Sequence, residues 1–190
     1  MNTVIFTAHP SKDCFAHKIA KRYKEAKEGK AEIVDLYSKE FRLDFLFFEN
    51  ESEIPQKASQ NKAVTTLQEK IRNADELVFV YPVWWGGMPA ILKNFIDNVF
   101  VSGFAYDFDE KGKLHKLMKG KRVRIFMTGN ADSKLYLILK PFYNFLFKKV
   151  IFGFCGFQVL SIDILTSKFK RSERKLEAFL QKVEKRAKSI

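Results

Sequence analysis

The sequence predicts an α/β fold: one doubly wound, five-stranded parallel sheet, order 2-1-3-4-5, with helices on both faces. Three observations carry this. Apolar, strand-like runs at residues 3–7, 32–36, 77–81, 123–128 and 158–165 are separated by segments of helical periodicity, and strands alternating with helices form parallel sheets. The length of 190 residues suits one domain with a substantial core and is short for two. No internal repeat, low-complexity segment or linker divides the chain, so residues 1–190 form a single domain. In a sheet of this order the ligand crevice lies beyond the carboxyl ends of the strands, between the first and third.

The first strand (TVIFT) leads into the loop AHPSKDCF and a helix whose apolar face is Phe15, Ile19, Tyr23 and Ala26. The free N–H groups and positive dipole end at the start of that helix suit a phosphate. His9 and Lys12 add charge or hydrogen bonds there. A histidine satisfied by the backbone and an ordinary surface lysine are the alternatives. Asp13 is expected to cap the helix, since a carboxylate facing an anion would repel it, and Cys14 is a weaker donor than serine. Residues 37–60 break the alternation as a long surface excursion. Val64, Leu67 and Ile71 then mark the second helix.

The third strand, ELVFVY at residues 76–81, runs into the turn Trp84-Trp85-Gly86-Gly87 and a proline-started helix bearing Ile91, Leu92, Phe95, Ile96 and Val99. Pro89 fits the first helical position, where a missing N–H costs nothing. Trp84 and Trp85 offer a wall for a flat ring, with the backbone N–H groups of Val83 to Gly86 aimed at its edge. One of the two indoles is expected to pack in the core. Residues 107–120 form a hairpin or mobile loop. After the fourth strand, Thr128, Gly129, Asn130 and Ala131 are small enough to let backbone amides approach a ligand and stabilise negative charge on it. Residues 135–157 are apolar and aromatic, yet Lys140, Pro141, Lys148 and Lys149 keep them short of a membrane span. They read as a buried helix or a subunit interface, with attachment to a membrane surface as the alternative. Ser172 is placed to cap a last helix carrying Leu176, Phe179, Leu180 and Val183.

The formal charge is +12, and nine Lys/Arg face three Glu within residues 168–190. A solvated basic face is the plain reading, and attraction to anionic dinucleotides or acidic surfaces the functional one. No nucleic-acid-binding motif accompanies the charge, so no nucleic-acid partner is expected. Cys14 and Cys155 show neither metal-ligand nor C-x-x-C spacing, and the first residues lack the pattern of a signal peptide. Free thiols, a cytoplasmic location and no metal are expected. Ser-His-Asp and Cys-His arrangements and a Walker loop are absent from the sequence.

Residues 81–106, YPVWWGGMPAILKNFIDNVFVSGFAY, carry Pro82, Trp85, Pro89, Ala90, Leu92, Lys93, Asp97, Val99, Phe100, Phe104, Ala105 and Tyr106. At these positions the segment resembles the flavodoxin-like NAD(P)H:quinone oxidoreductases, of the modulator of drug activity B and potassium-efflux ancillary type. AHPSKDCF is similar to that family's phosphate loop. The resemblance spans residues 2–130 and implies a flavodoxin-like fold and a bound flavin, FMN or FAD. It further implies NAD(P)H as hydride donor, a quinone-like acceptor and a homodimer whose pocket is completed across the interface. On these motifs the cofactor contacts are His9, Ser11, Cys14, Phe15, Pro82, Val83, Trp84, Trp85, Gly86, Thr128, Gly129 and Asn130. The substrate contacts are Phe104 and Tyr106. Tyr136 lies where relatives place a tyrosine that assists proton transfer, without the histidine that follows in them. A flavodoxin-type electron carrier and a regulatory partner of a potassium-efflux transporter are the other classes the resemblance leaves open.

Overall fold

The computed structural model describes residues 1–50 and 60–189. Five strands form one parallel sheet: β1 (Asn2–Thr7), β2 (Lys30–Asp35), β3 (Glu76–Pro82), β6 (Arg122–Thr128) and β7 (Gln158–Leu165), in spatial order β2-β1-β3-β6-β7. This is the predicted 2-1-3-4-5 order, counted within the sheet. The second strand begins two residues earlier than its apolar run suggests, because pairing with β1 aligns Asn2 with Lys30. A short antiparallel hairpin, β4 (Tyr106–Phe108) with β5 (Leu114–Lys116), occupies the predicted loop.

Helices α1 (Phe15–Ala26) and α6 (Glu173–Lys188) pack together on one face. Helices α2 (Lys62–Asn73), α3 (Ala90–Val99) and α4 (Ser133–Phe145) belong to the other. Side chains alternate across β3 as the pleat requires. Leu77, Phe79 and Tyr81 enter the core under α2 to α4, and Val78 and Val80 enter the core under α1 and α6. The first core is a lattice of rings: Phe6 stacks on Phe79 at 5.2 Å, and Phe152 lies 5.0 Å from Phe79. Removing one such ring costs about 3–5 kcal/mol in typical cores.

The start of the excursion predicted at residues 37–60 packs against α3. Phe41 and Leu43 are buried, and Asn94 Nδ2 donates to the carbonyl oxygens of Leu43 and Asp44 at 2.9 and 3.2 Å. Residues 51–59 of that excursion lie outside the described residues. α4 continues into a wider π-helical stretch, Leu146–Ile151, and a last turn, α5 (Phe152–Cys155). Gly153 permits this, because a Cβ there would lie 1.8 Å from the Lys148 carbonyl oxygen.

At the amino end of the sheet a buried ionic network closes the fold. Glu76 accepts from Arg124 Nε and Lys27 Nζ at 2.8 Å each and from the Tyr23 hydroxyl at 2.9 Å. Arg124 and Lys27 donate onward to the carbonyls of Ser189 and Ala187, tying the end of α6 to the sheet.

Candidate active site

Four strand-end loops meet at the carboxyl edge of the sheet. His9, Pro82, Val83, Trp84, Thr128, Gly129, Asn130, Lys168 and Phe169 line a cavity of about 150 Å³ there. The crevice rule placed three of these loops from sequence. The fourth, after β7, carries no glycine or motif that marks a ligand loop and reads in sequence as the start of the basic terminal stretch.

Of the phosphate-loop candidates, His9 lines the cavity, whereas Ser11, Cys14 and Phe15 do not. The Ser11 N–H donates to His9 Nδ1 at 3.1 Å, so this histidine is partly held by its own loop. Burial lowers its proton affinity first, and the charges of Lys168 and His17 lower it further against the opposing pull of the Ser11 carbonyl. The expectation that Asp13 caps α1 is corrected: the cap residue is Cys14, with extended backbone and no side-chain capping bond, which leaves Asp13 one position too early. N–H groups at the start of α1, through His17, therefore find no intraprotein acceptor among the described residues, and the first helical bond is Lys18 N–H to the Cys14 carbonyl. Phe15 turns toward α6, its ring 6.5 Å from that of Phe179.

The loop after β3 corrects a second expectation. Neither tryptophan is in the core: Trp84 is 42% exposed and Trp85 wholly so. The reason is local. Trp84 and Gly87 exchange both backbone hydrogen bonds, at 3.0 and 2.9 Å, around Trp85 at φ 51° and Gly86 at φ 72°. Positive φ at both central positions is the tight primed turn that asparagine and glycine favour, and it lifts the pair off the sheet. Pro89 caps α3 from the position before its first residue, accepting from Leu92 and Lys93. Tyr143, in α4, donates from its hydroxyl to the Gly86 carbonyl at 3.2 Å and so anchors the turn from below. Val83 and Trp84 N–H groups are spent inside the protein, on Thr128 and Gly87 carbonyls. Those of Trp85 and Gly86 have no intraprotein acceptor among the described residues and are the ones a ligand can use.

The loop after β6 is held just as closely. Gly129 N–H donates to the Leu165 carbonyl at 2.8 Å, which removes it from ligand binding. Tyr136 is buried, and a Cβ on Gly129 would lie 1.8 Å from its hydroxyl oxygen, so the phenol packs directly on the glycine. Burial raises the proton affinity of this phenol, which keeps it a neutral donor. Phe104 and Tyr106 do not reach the cavity within one chain. Arg72, just ahead of β3, lies 5.5 Å from the Phe104 ring, and Tyr106 packs on Phe154 at 4.9 Å; both are at the amino end of the sheet.

The residues fit a phosphorylated, flat, anionic-capable group such as a flavin mononucleotide. Unsatisfied N–H groups stand at the start of α1 and in the Trp85-Gly86 turn, exposed indoles lie beside them, and a neutral phenol sits under the loop after β6.

Comparison with known proteins agrees with this geometry. The chain matches the flavodoxin-like fold family over residues 1–187. It is 31% identical over 174 residues to an uncharacterized NAD(P)H oxidoreductase of Haemophilus influenzae, covering 86% of this chain and 83% of that one. It is 30% identical over 179 residues to NAD(P)H dehydrogenase [quinone] 1 of Cavia porcellus, covering 83% of this chain and 65% of the relative. Over 103 residues it is 35% identical to the FMN-dependent NADH:quinone oxidoreductase of Caldicellulosiruptor bescii, covering 52% of this chain and 49% of that enzyme. The crystal structure of Smu.1420 from Streptococcus mutans superposes with a TM-score of 0.82 at 31% identity, covering both chains fully. The match across nearly the whole length, and the relative that is 31% identical over most of both chains, place the chain in the flavodoxin-like NAD(P)H oxidoreductase family.

Proposed function

We propose that this protein is a flavin-dependent oxidoreductase that passes two electrons from NAD(P)H to a quinone or similar acceptor, with FMN as the flavin. The observation that carries this reading is the convergence of the loops at His9, Pro82 and Thr128 on one cavity at the carboxyl edge of the sheet. FMN is favoured over FAD because the C. bescii relative is named as FMN-dependent, and quinone as acceptor because both that relative and the C. porcellus one are named for it. A bound flavin supplies the acceptance and release of a hydride equivalent. The protein's part is positioning: the start of α1 receives the phosphate, Trp85 covers the ring, and the Trp85 and Gly86 N–H groups stabilise charge on it. Tyr136, neutral and buried, is the proton donor nearest the Gly129 loop.

A homodimer completes the reading. Leu137, Ile138, Phe142 and Phe145 leave an exposed apolar stripe along α4, and such a stripe is unusual on a monomer's surface. The Asn94 and Asn98 face of α3 is covered by residues 43 and 44 of the same chain, so α4 contributes more of the contact than α3. Phe104 and Tyr106, remote from their own cavity, would meet substrate only from the second copy.

The test is reconstitution with FMN and with FAD, followed by absorbance and the mass of the released chromophore. A yellow protein that oxidises NAD(P)H with added quinone in parallel double-reciprocal plots is the expected result, since nicotinamide and acceptor use one pocket in turn. Failure to bind either flavin at micromolar concentration rejects the reading.

A further inference from the structure

The loop after β7 is built like a part of the site. Ser167 sits at φ 49°, a left-handed conformation that a non-glycine residue holds at a cost of about 1–3 kcal/mol. Its surroundings over-determine it. The Ser167 N–H and hydroxyl both donate to the Ala131 carbonyl, at 3.1 and 3.2 Å, and the Lys168 N–H donates to the Gly129 carbonyl at 3.1 Å. Arg171 then staples Thr166 from both sides, Nε to its carbonyl at 3.0 Å and Nη2 to its hydroxyl at 2.9 Å. The strap is thereby fastened to the Gly129 loop, and it delivers Lys168 and Phe169 to the wall of the cavity opposite Trp84.

Lys168 is half-buried there and pairs with no carboxylate among the described residues. Its ammonium lies 4.6 Å from the centre of the exposed Phe169 ring. Lys182 and Arg186, on α6, are by contrast both tied to Asp163. An uncompensated cation held by a strained, multiply bonded turn is an arrangement that ligand binding explains and packing does not. The first loop shows the matching deficit: Asp13 and Cys14 offer no hydroxyl donor, and Asp13 adds a negative charge.

We propose that Lys168 is a cation that binds the phosphate group of the flavin, supplying from the loop after β7 a charge-assisted contact that adds to Lys12 and offsets Asp13 in the first loop. The inference rests on the flavin reading above, and it assigns the role to a residue outside the three loops on which that reading was built. His9 lines the same cavity and is destabilised as a cation by Lys168, so it serves as a neutral hydrogen-bonding group while Lys168 carries the charge.

The experiment compares FMN with riboflavin, which has the same ring and no phosphate. Lys168→Met keeps the aliphatic stem and removes the charge. Binding of each flavin is measured by fluorescence quenching at two salt concentrations. The expected result is roughly a ten- to hundredfold loss of FMN affinity with a weaker salt dependence, riboflavin affinity unchanged, and Lys168→Arg retaining most of the FMN affinity. The His9 proton resonance, followed by NMR in the protein without flavin, should titrate at higher pH in Lys168→Met while the remaining spectrum keeps its folded dispersion, a check that is independent of flavin binding. Equal loss of FMN and riboflavin would mean the turn only shapes the ring pocket, and would overturn the proposal. So would unchanged FMN affinity with a raised KM for NADPH, which assigns the lysine to the nicotinamide dinucleotide. If wild-type protein binds neither flavin, the parent reading fails instead, and that outcome is distinct from both.

Discussion

The two ends of the sheet solve opposite problems. At the amino end, Glu76, Lys27, Arg124 and Tyr23 are all buried, and each finds its partner within 2.9 Å. At the carboxyl end two non-glycine residues, Trp85 and Ser167, hold positive φ, an indole stands wholly in solvent, and a lysine has no counter-charge among the described residues. Both ends spend polar groups, but one satisfies them internally and the other leaves them without a partner among the described residues. In parallel α/β sheets the strand starts can be closed by the chain itself, whereas the strand ends open onto loops and helix N-termini. Stability is concentrated where the ligand is not.

The sharpest way to break this contrast is Glu76→Gln. It leaves Lys27 and Arg124 buried without their counter-charge, and a loss of about 3–5 kcal/mol in denaturant melts is expected. The pH dependence has a definite sign. Burial alone raises the proton affinity of Glu76, but hydrogen bonds from Lys27 and Arg124 outweigh it and leave the group below its ordinary value of 4.5. A folded-state value depressed in this way contributes stability that is fully present above the unfolded carboxyl's pKa. That contribution disappears as pH falls through the depressed folded value. Wild type should therefore lose stability below about pH 4.5, and Glu76→Gln should lack that part of the acid transition.

At the carboxyl end, Gly129→Ala drives a methyl into the Tyr136 hydroxyl. Displacing a packed ring costs about 1–3 kcal/mol, and quinone turnover should fall with it. On a Tyr136→Ala background, already destabilised by the lost ring, the added methyl should cost almost nothing further, with turnover low in both. Tyr136→Phe alone should lower turnover with flavin content intact. Additive effects on stability would show that the two residues do not touch.

Trp85→Gly should behave differently again. Glycine relieves the positive φ, so thermal stability should change by less than about 1 kcal/mol in either direction, while flavin affinity should fall on the proposed reading, in which Trp85 covers the ring. A large loss of stability would mean the indole is part of the fold. The smallest effect is expected at Cys155, whose thiol burial pushes up to about 12. It should resist alkylation in native protein at neutral pH and react once the protein is unfolded, as intact-mass measurement would show.

Much of this was legible beforehand for specific reasons. The five strands were visible because a parallel sheet covered on both faces writes its strands as continuous apolar runs, and only β2, an edge strand with a mixed pattern, was displaced. The Trp84 to Gly87 turn and the loops at His9 and Thr128 were found by their residue types and by the resemblance that those residues carry. What sequence reasoning missed was contextual. Tyr143 looked like one more aromatic in an apolar stretch, and its hydrogen bond to Gly86 spans 57 positions. Lys168 looked like part of a basic tail. The rule that all strand ends converge would have found it, had the last strand been given the same weight as the others.

The sequence by itself determined the order of strands and helices, the closed apolar core and the three loops with ligand-binding composition, because periodicity, turn chemistry and motif spacing are local properties. The tertiary structure alone decided which N–H groups stay free, that both tryptophans leave the core, that Phe104 and Tyr106 sit at the far end of the sheet, and that Lys168 joins the cavity. Each of those depends on which distant carbonyl, ring or charge arrives alongside, and burial and hydrogen-bond satisfaction are properties of the assembled chain rather than of any segment of it.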